Sequence, residues 1–434
     1  MTPSVNSREL ILEILLAVTK QEGYSHVVSE QILSKHQYLS KQERSFITRV
    51  SQGTLERMIE LDAVLDQFSK TPVKKMKPVI RCILRSAVYE ILYMDAVPVS
   101  ASCNEAVKLA KRKGFTGLSG FVNGVLRGIA RGKADIVYPD KKQDVAAYLS
   151  VKYSLPVWLV ELWQESYSTE EIEAMGQSFL KEKPLCVRVN TAQTSPEKLM
   201  ERLQKEQVTV RQDEKLPYAM YLSGYDYLAG LESFRDGDFY VQDLSSMLVA
   251  EYAGIKKGMY VIDVCAAPGG KSIHIAQLME ETGHVDTRDV SEYKVELIRE
   301  NIRRCRVGNM SARCQDATVL DTDSVEKADV VIADLPCSGL GVLGKKPDIK
   351  YRMNPTDLES LAGLQRQILD VVCAYVKPGG VLVYSTCTID KMENEQNVEW
   401  FCKKHPEYRL EEQRQILPQE RDSDGFFIAR LRKE

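Results

Sequence analysis

The first 135 residues carry apolar positions at the spacing of amphipathic helices. In residues 7–20, apolar side chains at positions 10, 11, 14, 15 and 18 form one helical face, and Ser7 is the predicted N-cap. The same kind of pattern recurs in three further stretches, 40–58, 101–113 and 121–132. Glycine and proline are sparse inside these stretches. Residues 1–135 are therefore predicted to form an all-helical domain.

The middle of the chain, residues 136–235, mixes helical and strand patterns. It opens with a helical stretch at 154–167 and then alternates apolar and polar residues in 185–190. Residues 195–206 begin with a serine cap and a proline at the first helical position, and 207–213 alternates again. Strand, helix and strand in this order predict a small α+β module.

From residue 236 to the C-terminus at 434, continuous apolar runs alternate with helical stretches. The apolar runs are 259–265, 284–290, 328–334 and 380–386. The helical stretches between them include 292–305 and 356–376. Apolar runs joined by helices indicate parallel strands that are buried on both faces. Residues 236–434 are therefore predicted to form a Rossmann-like α/β domain, and the whole chain is predicted to be multi-domain.

Composition narrows the class of protein. The chain has 434 residues, of which 44% are hydrophobic and 27% are charged, as in ordinary globular proteins. No apolar stretch approaches the roughly 18 residues of a membrane span. The N-terminus lacks a signal-peptide pattern, so a cytoplasmic protein with no membrane partner is expected. The ten cysteines should then be mostly free thiols, and the absence of a CxxC pair leaves no predicted metal site.

Positive charge is concentrated in two blocks, although the net charge of the chain is −3. Residues 70–85 contain six lysines or arginines and no acidic residue, and residues 106–134 contain seven more, again with no acidic residue. Such blocks favour a directed contact with RNA. The alternative, a solvated helical face, is equally consistent with the charge pattern alone.

A turn of small residues follows the first apolar run of the α/β domain, in 263-DVCAAPGGKSIHIAQL-278. Small residues at such a turn let a ligand approach the backbone, and a helix starting near Lys271 supplies free N–H groups. The turn matches neither GxGxxG nor the phosphate loop, so a dinucleotide or a triphosphate is less expected. The candidate ligand-binding residues here are Cys265, Ala266, Ala267, Pro268, Gly269, Gly270 and Lys271.

Two aspartates extend this candidate site along the predicted sheet. Asp289 ends the second apolar run, about 20 residues beyond the glycine pair, where a carboxylate binds the hydroxyl groups of a ribose. Asp286 is the competing candidate, but it lies inside the run. Asp316 follows a third, shorter run, where its carboxylate is placed to accept a hydrogen bond from an adenine amine. Together these residues predict a crevice shaped for adenosine.

Two cysteines stand just beyond the ends of later strands, Cys337 in 331-VIADLPCSGLGVLG-344 and Cys387 in 381-VLVYSTCTID-390. Methyl transfer to C5 of a pyrimidine is chemistry that would use such a pair. A thiolate adds to C6 and makes C5 nucleophilic, and a second thiol near C5 assists as a base when the adduct breaks down. Asp334 is placed to hold the edge of the base. Spacing alone leaves open which cysteine attacks.

These motifs resemble those of the Sun/NOL1/NOP2 family of RNA cytosine-C5 methyltransferases. DVCAAPGGK is similar to its cofactor motif, ADLPCSGLGV to its Asp-x-Pro-Cys motif and YSTCTIDKMENE to its Ser-Thr-Cys motif. The residues 187-VRVNT-191 resemble the RNA-recognition-like module of the family. The N-terminal part, with 103-CNEAVKLAKRKG-114, resembles the NusB-type RNA-binding fold. The resemblance covers nearly the whole chain.

The resemblance implies an S-adenosylmethionine-dependent enzyme that methylates C5 of a specific cytosine in small-subunit (16S) ribosomal RNA. By the same resemblance, Cys387 is the nucleophile and Cys337 assists release. S-Adenosylmethionine would contact residues 265–271, Asp289, Asp316 and Asp334. DNA cytosine methyltransferases attack instead from the cysteine of the Pro-Cys motif, so the family assignment decides the two roles.

Two other functions are weighed against this one. A non-catalytic RNA-binding or assembly factor would not need Cys337, Cys387, Asp334 and the cofactor turn together. An adenine-N6 or protein methyltransferase would carry Asn/Asp-Pro-Pro-aromatic in place of Asp-Leu-Pro-Cys and would have no use for Cys387.

Overall fold

The computed structural model describes residues 6–20 and 22–434, and the chain divides into two compact units. The first unit contains residues up to 181 together with residues 343–352. The second contains residues 182–342 and 353–434. The division at residues 135 and 235 into three sequence domains stays a prediction.

The first unit is helical, as its sequence pattern predicts. The helices before residue 182 are α1 (Ser7–Thr19), α2 (Ser25–Ser34), α3 (Lys41–Glu56), α4 (Met58–Phe68), α5 (Pro78–Tyr93), α6 (Val99–Arg112), α7 (Ser119–Arg131), α8 (Val145–Tyr153), α9 (Val157–Gln164) and α10 (Thr169–Leu180). All five apolar positions predicted for the core face of α1 are buried. The predicted N-cap of this helix was wrong by one residue. Asn6 is the N-cap, because its side chain accepts the N–H of Arg8 at 2.9 Å.

A small sheet opens the second unit. Its elements are β1 (Leu185–Val189), α11 (Pro196–Lys205), β2 (Thr209–Gln212), β3 (Ala219–Ser223), α12 (Glu232–Arg235) and β4 (Phe239–Val241). The strands are antiparallel in the order β2-β3-β1-β4. The side chain of Ser195 accepts the N–H of Lys198 at 3.3 Å and caps α11. The predicted succession of strand, helix and strand is confirmed.

A larger sheet forms the rest of the second unit. The elements from residue 244 onward are α13 (Leu244–Ala253), β5 (Tyr260–Asp263), α14 (Gly270–Leu278), β6 (His284–Asp289), α15 (Glu292–Cys305), β7 (Met310–Cys314), β8 (Ala328–Asp334), α16 (Ile349–Arg352), α17 (Pro355–Val372), β9 (Val376–Thr386), α18 (Glu395–Lys404), β10 (Tyr408–Ile416) and β11 (Phe426–Lys433). Over the described residues the order is β10-β11-β9-β8-β5-β6-β7.

Four strands of this sheet coincide with the predicted apolar runs, and they are parallel to one another. These strands are β5, β6, β8 and β9. The two last strands lie outside the predicted apolar runs. β10 and β11 are antiparallel, since a short connection joins them as a hairpin, and β11 pairs antiparallel with β9. β5 has β6 on one side and β8 on the other, so the strand order reverses direction at β5.

The segment of residues 343–352, which includes α16, packs within the first unit. The N–H of Ser25 donates to Asp348 at 3.1 Å, and Lys350 Nζ donates to the backbone carbonyl of Glu56 at 2.7 Å. Both Asp348 and Lys350 are buried. The sequence patterns did not predict this placement. No helix in the described part of the chain is long and apolar enough to cross a lipid bilayer.

Candidate active site

The candidate site lies at the edge of the larger sheet where β5, β6, β8 and β9 end. Parallel strands bring the residues after their carboxyl ends to the same edge. β8 and β9 are neighbours, and their register pairs Asp334 with Ser385. Cys337 and Cys387 follow these paired residues by only a few positions. The register of β8 and β9 therefore places the two cysteines side by side, just beyond the carboxyl ends of these strands.

The two thiols are in direct contact. Cys337 Sγ lies 3.3 Å from Cys387 Sγ, and the backbone N–H of Cys387 donates to Cys337 Sγ at 3.3 Å. The hydrogen bond to Cys387, together with burial, raises the pKa of Cys337 well above its usual value. Cys337 is therefore protonated at neutral pH, and its sulfur is within hydrogen-bond distance of the second sulfur.

Asp334, at the end of β8, is held by two donors. Lys271 Nζ lies 2.6 Å from Asp334 Oδ2, and Ser385 Oγ donates to Oδ1 at 2.8 Å. Burial by itself would lower the pKa of Lys271. The negative charge and the hydrogen bond of Asp334 have the opposite and larger effect, so the pKa of Lys271 is raised. Lys271 therefore keeps its positive charge, which also attracts a thiolate at Cys387.

A buried polar network fixes both cysteine loops, and the sequence patterns did not predict it. Glu393 accepts the backbone N–H of Ser338 at 3.0 Å and Gln365 Nε2 at 2.8 Å. Ser338 Oγ lies 2.6 Å from Thr388 Oγ1, which ties together the residues that directly follow the two cysteines. Burial raises the pKa of Glu393 to about 7. The available signal was its place in the motif 384-YSTCTIDKMENE-395.

The turn of small residues after β5 depends on its glycines. Gly269 has a φ of +103°, a backbone conformation that other residues rarely adopt. A Cβ added at Gly270 would lie 3.0 Å from a ring carbon of Tyr240, whose hydroxyl donates to the carbonyl of Pro268 at 3.0 Å. α14 begins at Gly270, as predicted. Residues 265–271 thus lie between the end of β5 and the first turn of α14.

Asp289 contacts this turn from the end of β6. Its Oδ2 accepts the backbone N–H of Ala267 at 3.3 Å, and its Oδ1 lies 3.5 Å from Lys294 Nζ. The residue before Asp316 donates its N–H to the carbonyl of Asp289 at 3.0 Å, so the two candidate aspartates are brought together. Asp316 is exposed, and its Oδ1 accepts the N–H and hydroxyl of Thr318.

Asp286, the competing candidate, lies in a buried ionic cluster. It accepts hydrogen bonds from Arg288 Nη2 at 2.6 Å and from Arg313 Nη2 at 3.0 Å. Arg288 is also buried, and its Nη1 lies 3.4 Å from a carboxylate oxygen of Asp321. This cluster explains why β6 has a polar sequence although it is a buried strand.

Asp263, the last residue of β5, was not predicted as a site residue. It is buried, Ser272 Oγ donates to its Oδ2, and burial raises its pKa to about 7. Among the residues that the structure describes, no donor reaches Asp263 Oδ1. Because this oxygen is also closed to solvent, Asp263 supports the turn from inside the protein and is not placed to touch a ligand. The donors and acceptors that remain open at this edge, those of the turn after β5 and of Asp289, fit a nucleoside cofactor.

The fold and this edge define a class of protein. A Rossmann-like sheet presents a glycine turn, carboxylates after consecutive strands and a contacting pair of thiols. This combination is that of a methyltransferase with a nucleoside cofactor.

Comparisons with known proteins identify the family. Residues 254–432 match the family described as 16S rRNA methyltransferase RsmB/F, residues 5–131 match the NusB family, and residues 155–225 match the RsmF/B-like ferredoxin-like domain. The chain is 36% identical to the probable ribosomal RNA small subunit methyltransferase B of Bacillus subtilis (strain 168), over 98% of each chain. It is 29% identical to the ribosomal RNA small subunit methyltransferase B of Proteus mirabilis (strain HI4320), over 100% of each chain.

Solved structures agree with this assignment. The structure titled "Crystal Structure of PH0851" superposes with a TM-score of 0.82 at 25% identity, over 99% of each chain. The structure titled "The crystal structure of NSun6 from Pyrococcus horikoshii with SFG" superposes with a TM-score of 0.58 at 26% identity, over 63% of this chain and 97% of that one.

The chain belongs to the RsmB/F family of 16S rRNA methyltransferases. It is a methyltransferase that uses S-adenosylmethionine, and its substrate is ribosomal RNA. The predicted three-part fold class, with a NusB-like part, a small α+β module and a Rossmann-like part, is confirmed.

Proposed function

We propose that the protein methylates C5 of a specific cytosine in small-subunit (16S) ribosomal RNA through a covalent adduct of Cys387 with C6. The observation that carries the proposal is the 3.3 Å separation of the Cys337 and Cys387 sulfur atoms, beside the proposed cofactor turn. Methyl transfer to a carbon that is a poor nucleophile gives a physical reason for two adjacent thiols.

The reaction balances in two stages. The thiolate of Cys387 adds to C6, and the electron pair displaced from the C5–C6 bond makes C5 nucleophilic. Bound S-adenosylmethionine would supply an electrophilic methyl group, to which C5 forms its new bond, with S-adenosylhomocysteine as the leaving group. C5 then loses its proton to a base, the C6–S bond breaks with its electron pair returning to sulfur, and the ring regains its aromatic bonding.

The geometry supports Cys387 as the nucleophile. Cys337 retains its proton because its pKa is raised, so its S–H stabilises negative charge on Cys387. The charge of Lys271 stabilises the same thiolate. Both interactions favour ionisation of Cys387 before that of Cys337.

Cys337 then serves as the base. Formation of the adduct converts Cys387 to a neutral thioether, so the negative charge that opposes ionisation of Cys337 disappears. Cys337 loses its proton to solvent more readily at this stage, and its thiolate accepts the proton of C5. The proposed order of ionisation therefore matches the order of the two chemical steps.

The remaining side chains position the two substrates. We assign Asp334 to the base edge of the cytosine, with Lys271 and Ser385 orienting its carboxylate. Asp289 binds the ribose of S-adenosylmethionine and Asp316 its adenine amine. The turn of residues 265–271 approaches the rest of the cofactor. A cytoplasmic location fits both the ribosomal RNA substrate and the ten free cysteines.

The test is to compare Cys387→Ala with Cys337→Ala on small-subunit ribosomal RNA and labelled S-adenosylmethionine. Cys387→Ala should give neither turnover nor covalent complex, because C6 has no nucleophile. Cys337→Ala should accumulate a protein–RNA species that survives denaturing electrophoresis and carries the new methyl group. Cys314→Ala, which changes an exposed cysteine on β7, is the matched control and should turn over normally.

Each other outcome has a defined meaning. An adduct trapped by Cys387→Ala and not by Cys337→Ala would exchange the two roles, as in the DNA enzymes. Normal turnover by both variants would mean that the two cysteines only pack in the protein and have no role in the reaction. RNA binding without methyl transfer by the wild type would favour a non-catalytic assembly factor. Bisulfite sequencing of ribosomal RNA from cells with and without the protein would identify the cytosine.

A further inference from the structure

A cavity of about 180 Å³ lies within the first unit, away from the paired thiols in sequence. It is lined by residues of α1, α3, α4 and α5 and by residues of the segment 343–352. Its size is several times the roughly 30 Å³ that one water molecule occupies. The cavity therefore has room for a small ligand group such as a phosphate.

Three guanidinium groups line this cavity, those of Arg81, Arg85 and Arg352. Two of them already have acidic partners. Arg85 Nε donates to Asp62 at 2.6 Å, and Arg352 Nε lies 3.3 Å from a carboxylate oxygen of Asp348. These pairs satisfy the charge of two of the three cations.

Arg81 differs from the other two arginines. Among the residues that the structure describes, its side chain forms no hydrogen bond or ion pair, and its Nε is buried. The Nε of Arg352 is also buried without a hydrogen bond, but it lies within ion-pair distance of Asp348. A buried guanidinium N–H without an acceptor is costly, and carboxylates and phosphates are the acceptors that its geometry suits. Asp348 also lines the cavity, but its carboxylate accepts the N–H and hydroxyl of Ser25 and pairs with Arg352.

The balance of charge favours a monoanion. Three arginines face two carboxylates, those of Asp62 and Asp348, so one positive charge remains. A phosphodiester carries one negative charge, whereas a free or terminal phosphate carries about −1.5 to −2 at neutral pH.

A row of basic residues leads to this cavity. Lys77, the N-cap of α5, and Arg81 and Arg85 within α5 are spaced four residues apart, so they follow one face of the helix. Lys74, Lys75 and Lys77 are exposed. The row therefore connects a free basic surface to the unpaired guanidinium.

We infer that the cavity binds a phosphodiester of the ribosomal RNA backbone through Arg81. This inference rests on the RNA substrate of the proposed function and assigns one place where the helical unit holds it. The contact positions the RNA but does not contribute to sequence specificity, because phosphates are the same at every nucleotide.

The test measures the affinity of the full-length protein for a small-subunit ribosomal RNA transcript at several salt concentrations. Arg81→Gln should weaken binding about tenfold and reduce the slope of log K against log salt by about 0.7–0.9, the value of one phosphate contact. Arg81→Lys should restore the slope and recover part of the affinity. Lys35→Gln, which removes an exposed charge outside both basic blocks, should change neither.

Two controls separate the possible failures. Arg81→Gln should bind S-adenosylmethionine like the wild type, which shows that the second unit is folded. With saturating RNA, Arg81→Gln combined with Cys337→Ala should still trap the adduct. If the single variant Cys337→Ala formed no adduct, the proposed chemistry would be rejected. The proposed phosphate contact would not be affected by that result.

Free phosphate is the alternative occupant, and thermal unfolding in sodium phosphate against sodium chloride at equal ionic strength detects it. One outcome would assign the cavity to a free anion and not to the RNA backbone. In that case Arg81→Gln binds RNA with unchanged affinity and salt slope, but it loses a stabilisation by phosphate that the wild type shows. Unchanged RNA binding with no phosphate effect in either protein would overturn the anion site altogether.

Discussion

Two aspartates three residues apart, Asp286 and Asp289, illustrate how environment separates a carboxylate in a buried ionic cluster from one that we propose to bind the cofactor. Asp286 is enclosed by arginines and balances their charge inside the sheet. Asp289 accepts one backbone N–H from the cofactor turn and has a second oxygen near the exposed Lys294. Only the second arrangement leaves acceptor capacity at the edge where a ribose would bind.

Substitution of each aspartate should therefore have a different effect. Asp289→Ala should weaken S-adenosylmethionine binding by about 10- to 150-fold, since hydrogen bonds to a charged group contribute about 1.5–3 kcal/mol. Asp286→Ala should instead lower the thermal unfolding midpoint, because it removes the closest partner of the buried Arg288 at a cost of about 3 kcal/mol. Calorimetric titration and thermal unfolding measure both variants. Wild-type cofactor affinity in Asp289→Ala would assign the ribose to another acid.

The sequence supports the preference for Asp289 over Asp286 but does not explain it. A carboxylate at the last position of a strand is placed for a ligand, and this rule needs only the strand boundary. The partners of Asp286 lie on the same strand and on β7, so its ionic cluster depends on the pairing of two strands. Asp263 was missed for a related reason. Its missing donor becomes evident only once the surrounding side chains are placed.

At the scale of elements, the register of β8 and β9 brings the two cysteines together, and Gly341 fixes the loop after Cys337. The N–H of Gly341 donates to the carbonyl of Cys387 at 3.0 Å, and the N–H of Gly425 donates to the carbonyl of Gly341 at 2.9 Å. A Cβ at Gly341 would lie 2.0 Å from the carbonyl oxygen of Gly425. Backbone at that distance has to move, so only glycine fits.

Gly341→Ala should therefore separate the two thiols without affecting the cofactor turn. We expect turnover to fall about 100-fold, the usual cost of a displacement near 1 Å, while S-adenosylmethionine affinity stays within about twofold. Gly363→Ala is the matched control, since nothing lies within 4 Å of a Cβ there, and it should keep full activity and gain up to about 1 kcal/mol in helix α17. Normal turnover in Gly341→Ala would mean that the loop adapts.

The strands and helices near the site could be predicted from the sequence, because each is a continuous pattern. α15 spans residues 292–305, as predicted, and β6 and β8 lie within their predicted apolar runs. The network around Glu393 could not be predicted, because its partners Ser338 and Gln365 are distant in sequence. Polar residues that pair across a fold leave no periodicity, so only the motif around Glu393 gave a signal.

At the scale of the whole molecule, the segment 343–352 joins the two units by chain connectivity. The chain leaves the second unit after Val342, contributes the buried Asp348 and Lys350 to the first, and resumes the second at Met353. The segment contains three lysines and one proline, and the sequence patterns did not predict its burial. Its burial depends on contacts with Ser25 and the end of α3, which no local pattern encodes.

This connectivity determines how the contribution of the helical unit to RNA binding should be measured. Removal of residues 1–135 would leave Asp348 without Ser25 and Lys350 without the carbonyl of Glu56, so any loss of function would be ambiguous. Neutralisation of surface charge in the full-length chain avoids this. Lys74, Lys75 and Lys77 are exposed, and with the exposed Lys70 they form the accessible part of the first basic block.

The triple substitution of Lys74, Lys75 and Lys77 by Gln should therefore weaken binding to small-subunit ribosomal RNA and reduce its salt dependence. If each lysine neutralises one phosphate, the slope of log K against log salt falls by about 2.1–2.7, because each contact releases counterions. The matched control replaces three exposed lysines outside both blocks, Lys35, Lys41 and Lys142, and should leave the slope unchanged. Affinity for S-adenosylmethionine should stay at the wild-type value in both proteins. An equal loss of slope in the two triple variants would mean that net charge governs binding, and the basic block would then be an ordinary solvated surface.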